Sequence, residues 1–402
     1  MTERSEFTVT PSMQRIPLAL VAIGAVALVI GLVVAPDRTW MNLLVDGFYV
    51  LSLGVSAMFF ITTQRLSSAR WSAAIRRIPE AFTRVLPAAA VLMAILAFGF
   101  QALYPWTHPH PIEHEAGGIV AGRESYLTPA FVYARMAIIV GLWLVFAWRF
   151  RKTSADADAS REAGLLGHVR LNRLAALFAP LFALSFTAAA YDWLVSLDPK
   201  WFSTMFAVYV FAGSFAQGIA AIALATVVLK KRGAFGPGGK QIGDEPVHTL
   251  GTMLLAFCTF WAYIWVCQYL LIWYGNIPEE VTYYIVRSSA PWLPLFLGSF
   301  LINWVIPFFT LLPRTSKRSL RVMKAMCILV LCGRWLDLYI MVMPSKWDAP
   351  HVGPLELAMA AGTGGLIYLI FIRGLSRLPL VPPHEPVTAA RNGHAAHAGG
   401  AS

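Results

Sequence analysis

Charged side chains are scarce in this sequence: Asp, Glu, Lys and Arg make up 13% of its 402 residues, against 57% hydrophobic. A water-soluble domain of that length must cover its surface with polar groups, so this balance excludes one. Cysteine is scarcer still. Cys258, Cys267, Cys327 and Cys332 are the full set, and none forms C-x-x-C or C-x-x-C-H. That removes covalent haem attachment and cysteine-ligated iron–sulfur clusters. No histidine falls in the middle of an apolar run, so the paired axial ligands of a haem-binding helix bundle are missing, and no haem is expected. The glycine-rich run Gly233–Lys240 lacks the first glycine of a phosphate loop at the required spacing. It also has Gln241 where Ser or Thr belongs, and it follows no strand.

What the sequence has in abundance is long apolar runs. A bilayer core roughly 30 Å thick takes about 20 such residues to cross as a helix. Ten stretches qualify: 16–35, 40–61, 85–103, 128–148, 172–195, 201–229, 248–273, 292–312, 322–343 and 355–372. Lipid offers the backbone no hydrogen-bond partners, so each must be an α-helix, and none shows the alternation of a barrel strand. The expected fold is an all-α integral membrane protein. It comprises a cytoplasmic tail (1–15), a ten-helix domain (16–372) and a cytoplasmic, disordered tail (373–402).

The net charge of +11 is explained by topology. With the amino terminus inside, 24 of the 32 Lys and Arg fall in inner segments, five in outer ones and three within helices. The positive-inside rule then places both termini in the cytoplasm. Membrane lipids are the expected partners of this charge, and nucleic acid is not. The outer loop containing His108, His110 and His114 matches no familiar metal spacing, and its prolines hold it extended. It reads as a partner-contacting loop. Trp106, Trp193, Trp201, Trp273, Trp292 and Trp347 read as an interfacial belt.

Ionisable groups within spans are costly, and each is a candidate functional residue. Asp46, Arg135, Asp192, Arg334, Asp337 and Glu356 all fall in the predicted outer half of the bilayer. Arg334 and Asp337, three residues apart, share a helix face and can pair. An outer half-channel or a polar pocket explains such segregation, with Asp192, Arg334 and Asp337 lining the pathway. Tyr209, Tyr263, Gln268 and Tyr269 join that polar layer as quinone or proton-relay contacts. Lys324 reads as a snorkelling lysine.

A weak repeat is visible. Phe48-Tyr49-Val50 followed by Ser52 and Gly54 parallels Val208-Tyr209-Val210 followed by Gly213 and Ser214. The ends of the fifth and ninth spans, Tyr191–Leu194 and Arg334–Asp337, are each followed by Pro and then Lys-Trp. Two parallel four-helix bundles are expected, spans 2–5 and 6–9, flanked by spans 1 and 10.

Two blocks, YDWLVSLDPKWFSTMFAVYVFAGSFAQ at 191–217 and LAFCTFWAYIWVCQYLLIWYGNIPEE at 255–280, resemble the ActF-type subunit of bacterial alternative complex III. That complex is a quinol:electron-acceptor oxidoreductase, and the subunit belongs to the polysulfide-reductase-type (NrfD-like) membrane anchors. The blocks cover about 50 residues, whereas the amino-terminal third is similar only in hydropathy. The resemblance implies a haem-free subunit of the bacterial inner membrane, acting as scaffold and as a proton half-channel or second quinone site. It implies a larger homologous quinone-binding subunit as neighbour. Haem and iron–sulfur clusters would sit in periplasmic multihaem cytochrome c and iron–sulfur partners, with a terminal cytochrome c oxidase as a further partner. Quinol oxidation needs a proton acceptor at the hydroxyls, and only Asp46, Asp192, Asp337 and Glu356 could serve here. The alternatives are a secondary transporter, with a midplane site between broken helices, and a purely structural anchor of the same complex.

Overall fold

The computed structural model describes residues 7–107, 125–158, 161–235, 242–377 and 379–380. The loop with His108, His110 and His114, most of the run from Gly233 to Lys240, and the tail after Pro382 lie outside them. Among the described residues no strand occurs, and ten helices are long and apolar enough to cross a bilayer. These are α1 (Pro11–Val34), α2 (Pro36–Leu66), α3 (Arg77–Leu103), α4 (Pro129–Asp156), α5 (Leu166–Leu197), α6 (Phe206–Lys231), α7 (Glu245–Gly275), α9 (Leu293–Leu311), α10 (Leu320–Ser345) and α11 (Pro354–Leu375). Between α7 and α9 runs α8 (Pro278–Ser288), too short to cross. The protein is an all-α, multi-pass membrane protein.

Every expected span is present, and most run past their apolar stretch. Among them α3 starts at Arg77 and not at 85. Hydropathy marks where the chain is apolar, but a helix continues as long as its own hydrogen bonds do. Prolines open α1, α2, α4 and α11 in the first turn, where the missing N–H has no helical partner to lose. Asn276 stops α7 by turning left-handed at φ +47°.

The packing forms two rings. Helices α2, α3, α4 and α5 contact one another in cyclic order, as do α6, α7, α9 and α10. The rings meet at a seam where α2 packs on α6 and α10. Both α2 and α6 are buried over 89% of their apolar windows, so the seam is the interior of the molecule. Without a hydrophobic force between helices in lipid, close approach depends on small side chains. At the seam, a Cβ on Gly218 would come within 2.6 Å of the Cβ of Ser56. The first and last spans, α1 and α11, pair with each other against α2 and α3. A Cβ on Gly24 would sit 2.7 Å from the Cα of Gly362.

Two spans are interrupted. A π-helical turn, Leu301–Val305, breaks α9, and 3₁₀ turns at Thr83–Val85 and Ala97–Gly99 break α3. Asn303 stabilises the π turn by donating to the Ser299 and Gly333 carbonyls at 3.0 Å each. Below, the end of the bundle where α1 begins and α11 ends is termed proximal, and the opposite end distal.

Candidate functional site

The six charged candidates do not form one cluster; the structure divides them among four places. Arg135 of α4 grips Asp192 of α5 with two parallel bonds of 2.8 and 3.0 Å, and its guanidinium lies 3.7 Å over the ring of Tyr126. Arg38 of α2 grips Glu356 of α11 in the same way, at 2.5 and 2.6 Å. Asp46 accepts a bond of 2.9 Å from the indole of Trp335. Arg334 and Asp337 pair along α10, as their spacing predicts. Among the described residues, no hydrogen bond joins Asp192 to the Arg334–Asp337 pair: Asp192 is paired within the first ring, and the pair lies at the seam.

Arg334 and Asp337 are the pair at the seam, both almost fully buried. The carboxylate is fully engaged: it accepts from the Tyr209 hydroxyl, from Arg334 Nη1, and from the Trp261 indole at 3.3 Å. Arg334 Nη2 in turn donates to the Val210 carbonyl and to Ser214 Oγ, each at 3.3 Å. Gly213 makes this possible, because a Cβ there would collide with the guanidinium. One turn deeper, Ser56 Oγ donates to the Ser214 carbonyl at 2.8 Å, and Ser52 Oγ donates to Gln217 Oε1 at 2.9 Å. Gln217 Nε2 reaches the Tyr49 carbonyl at 3.0 Å.

These residues form a polar ladder descending α6 from Tyr209 to Gln217. At 1.5 Å per residue, Gln217 lies about 17 Å below Phe206, near the middle of the helix. There the ladder stops. Toward the proximal end the seam is filled by buried Leu53, Ala57, Phe60, Ile219 and Ile222. The arrangement has a distal mouth and an apolar floor.

At the mouth, Asp337 and Tyr209 line a small cavity with Tyr283, Tyr284 and Arg287 of α8 and Ser299 of α9. It has room for about one water molecule. Arg287 donates to the Ile340 and Met341 carbonyls at 3.0 and 2.9 Å, tying off the end of α10, and lies 3.4 Å over the ring of Tyr283. Trp201 stacks on the other side of that ring at 4.1 Å. Burial raises the pKa of Tyr283, and that of Tyr284 well above the ordinary phenol value, so both hydroxyls stay protonated at neutral pH. Burial lowers that of Arg287.

Of the other expected contacts, Tyr269 stands edge-on to Tyr284 at 5.1 Å, one ring back from the cavity. Gln268 is buried on α7 with its carbonyl oxygen unpartnered. Tyr263 is 61% exposed and does not line the cavity. Sequence reading missed α8 altogether, placing Arg287 in a loop. Its signal was present: Pro278 with Glu279 and Glu280 opens a helix, and Arg287 closes it.

Buried charge also occurs where none was expected, at the proximal end. Arg77 donates to Glu80 at 2.6 Å and to Ser154 Oγ at 2.9 Å, while Arg76 meets Asp158 at 3.0 Å. The reading that buried charge segregates to one half of the membrane is therefore corrected. Starting the third span at 85 had left Arg76, Arg77 and Glu80 in a loop, where charge is cheap. Among the described residues, no group of three His, Cys, Asp or Glu is placed to hold a metal ion. No protein-family model and no curated protein matches this sequence, so the site stands on its own geometry.

Proposed function

We propose that this chain is a haem-free membrane subunit of a respiratory quinol:electron-acceptor oxidoreductase, in which it acts as scaffold and as a distal proton half-channel. The observation that carries the half-channel is the ladder Tyr209–Asp337–Arg334–Ser214, open at a polar cavity and closed at mid-membrane. Intramembrane carboxylates in hydrogen-bonded series are how proteins conduct protons through lipid. The assignment to a quinol-oxidising complex rests on the resemblance of the blocks at 191–217 and 255–280. The cavity admits a water but not a quinone ring, which favours proton movement over a second quinone site.

Gentle detergent extraction tests the complex. Copurification of a multihaem cytochrome and a large iron–sulfur subunit supports the assignment, and isolation as a lone chain or homodimer that moves solute overturns it. The half-channel is tested in the assembled complex by comparing Asp337→Asn with Asp192→Asn. Proton release coupled to quinol oxidation should fall at least tenfold in the first and stay near normal in the second. Normal release from an assembled Asp337→Asn complex leaves only the scaffold. A transporter has less support, because the interrupted helices α3 and α9 do not occupy equivalent positions in the two rings.

A further inference from the structure

The proximal ends of α3, α4 and α11 enclose a second cavity, lined by Arg77, Glu80, Arg84, Arg151, Gly374 and Leu375. Its charges do not balance. Deep in the cluster, Arg76 and Arg77 are matched by Glu80 and Asp158, which bind both of them. Nearer the surface stand Arg84, Arg151 and Arg377, close enough to repel one another. Among the described residues, none of these three has a carboxylate within ion-pair distance. Arg151 is held in place by Thr83, donating to its hydroxyl at 2.9 Å and its carbonyl at 3.2 Å. Gly374 lets α11 close over Arg84, whose Cδ would lie 2.7 Å from an added Cβ. Arg84 and Arg151 are half-buried, where uncompensated charge is expensive. Two half-buried guanidiniums with no ion pair of their own, beside the exposed Arg377, favour an anion.

We propose that the mouth of this cavity, whose interior holds about one water molecule, binds a phosphate-bearing anion, with Arg84 and Arg151 as its ligands and the exposed Arg377 beside them. Guanidinium forks match phosphate oxygens in geometry as well as charge. The surroundings match a headgroup with acyl chains attached. Leu375 lines the cavity, Phe82 stacks on Phe371 at 4.3 Å in the same helix ends, and Trp148, 51% exposed, stands one turn distal to Arg151. Basic pockets between helices at the membrane surface recognise anionic lipids on this principle. Nothing in the site depends on the half-channel, whose ladder ends elsewhere on the seam.

The full chain, purified in mild detergent, is titrated with phosphatidylglycerol, phosphatidylcholine and inorganic phosphate, with bound ligand counted by native mass spectrometry. Phosphatidylglycerol should bind at least tenfold more tightly than phosphatidylcholine, and Arg84→Gln with Arg151→Gln should remove that preference. Arg377→Gln, at an exposed position, should weaken it severalfold, while Arg321→Gln on α10 should leave it unchanged. Binding of inorganic phosphate equal to that of phosphatidylglycerol, lost in the same variants, supports the site and makes its occupant a soluble anion. Equal binding of all three ligands, or wild-type binding by both arginine variants, overturns the proposal.

Discussion

A buried ion pair such as Arg334–Asp337 is held by what each partner would suffer alone. Removing one charge strands the other in a low-dielectric seam, at a cost of about 3–5 kcal/mol, whereas replacing both by apolar groups is often close to neutral. Asp337→Ala should therefore destabilise the purified chain by that amount, and adding Arg334→Met should recover much of it. Equilibrium unfolding in denaturant measures both; equal stability of wild type and Asp337→Ala would show that water already reaches the pair. Of the charged contacts, this one was legible in the sequence, because a spacing of three along one helix decides it. Arg135–Asp192 and Arg38–Glu356 were not. Their partners stand 57 and 318 residues apart, and only the packing of different helices brings them together. The Gly213 notch that seats Arg334 was equally invisible, since a glycine in an apolar run looks the same whatever lies opposite.

At the scale of helices, close packing makes single glycines sensitive and their neighbours tolerant. Gly24→Leu must push α1 away from α11, with a loss of about 1–3 kcal/mol typical of overpacking. Gly364→Leu, on the partner helix α11 but with nothing within 4 Å of its added Cβ, should be silent in the same thermal unfolding assay. Similar losses in both would mean that lipid contact matters more here than helix contact. The surface helix α8 carries a different risk. Arg287→Ala leaves the carbonyls of Ile340 and Met341 without a donor and opens the cavity beside Asp337. Faster hydrogen exchange at the distal turn of α10 is the expected result, and unchanged exchange would show that water replaces the guanidinium. Sequence could place the ten long helices because hydropathy responds to length. It could not place α8, whose eleven residues mix charge and apolar groups and average to nothing.

For the molecule as a whole, ten crossings put residues 315 and 351 on opposite faces, separated by α10. Thr315→Cys and His351→Cys should each react with a membrane-impermeant maleimide from one side only, and from different sides. Labelling of both from the same side would remove a span from the topology. The Arg-rich proximal end is expected to be the cytoplasmic one by the charge rule, so Thr315→Cys should react only in inverted vesicles. The two-ring arrangement was partly legible, since the Tyr49 and Tyr209 motifs mark the two helices that meet at the seam. Which groups fill the seam was not, because burial in lipid-soluble proteins leaves no hydropathy contrast between inside and outside.

The pairing of α1 with α11 has a consequence in time. During synthesis α1 enters the membrane well before the helix it grips, which begins about 320 residues later. At about 5–20 residues per second that is a wait of roughly 15–65 s. Throughout it, Gly24 presents a bare notch to any passing helix, so the newborn chain is open to wrong partners until α11 arrives to cover it.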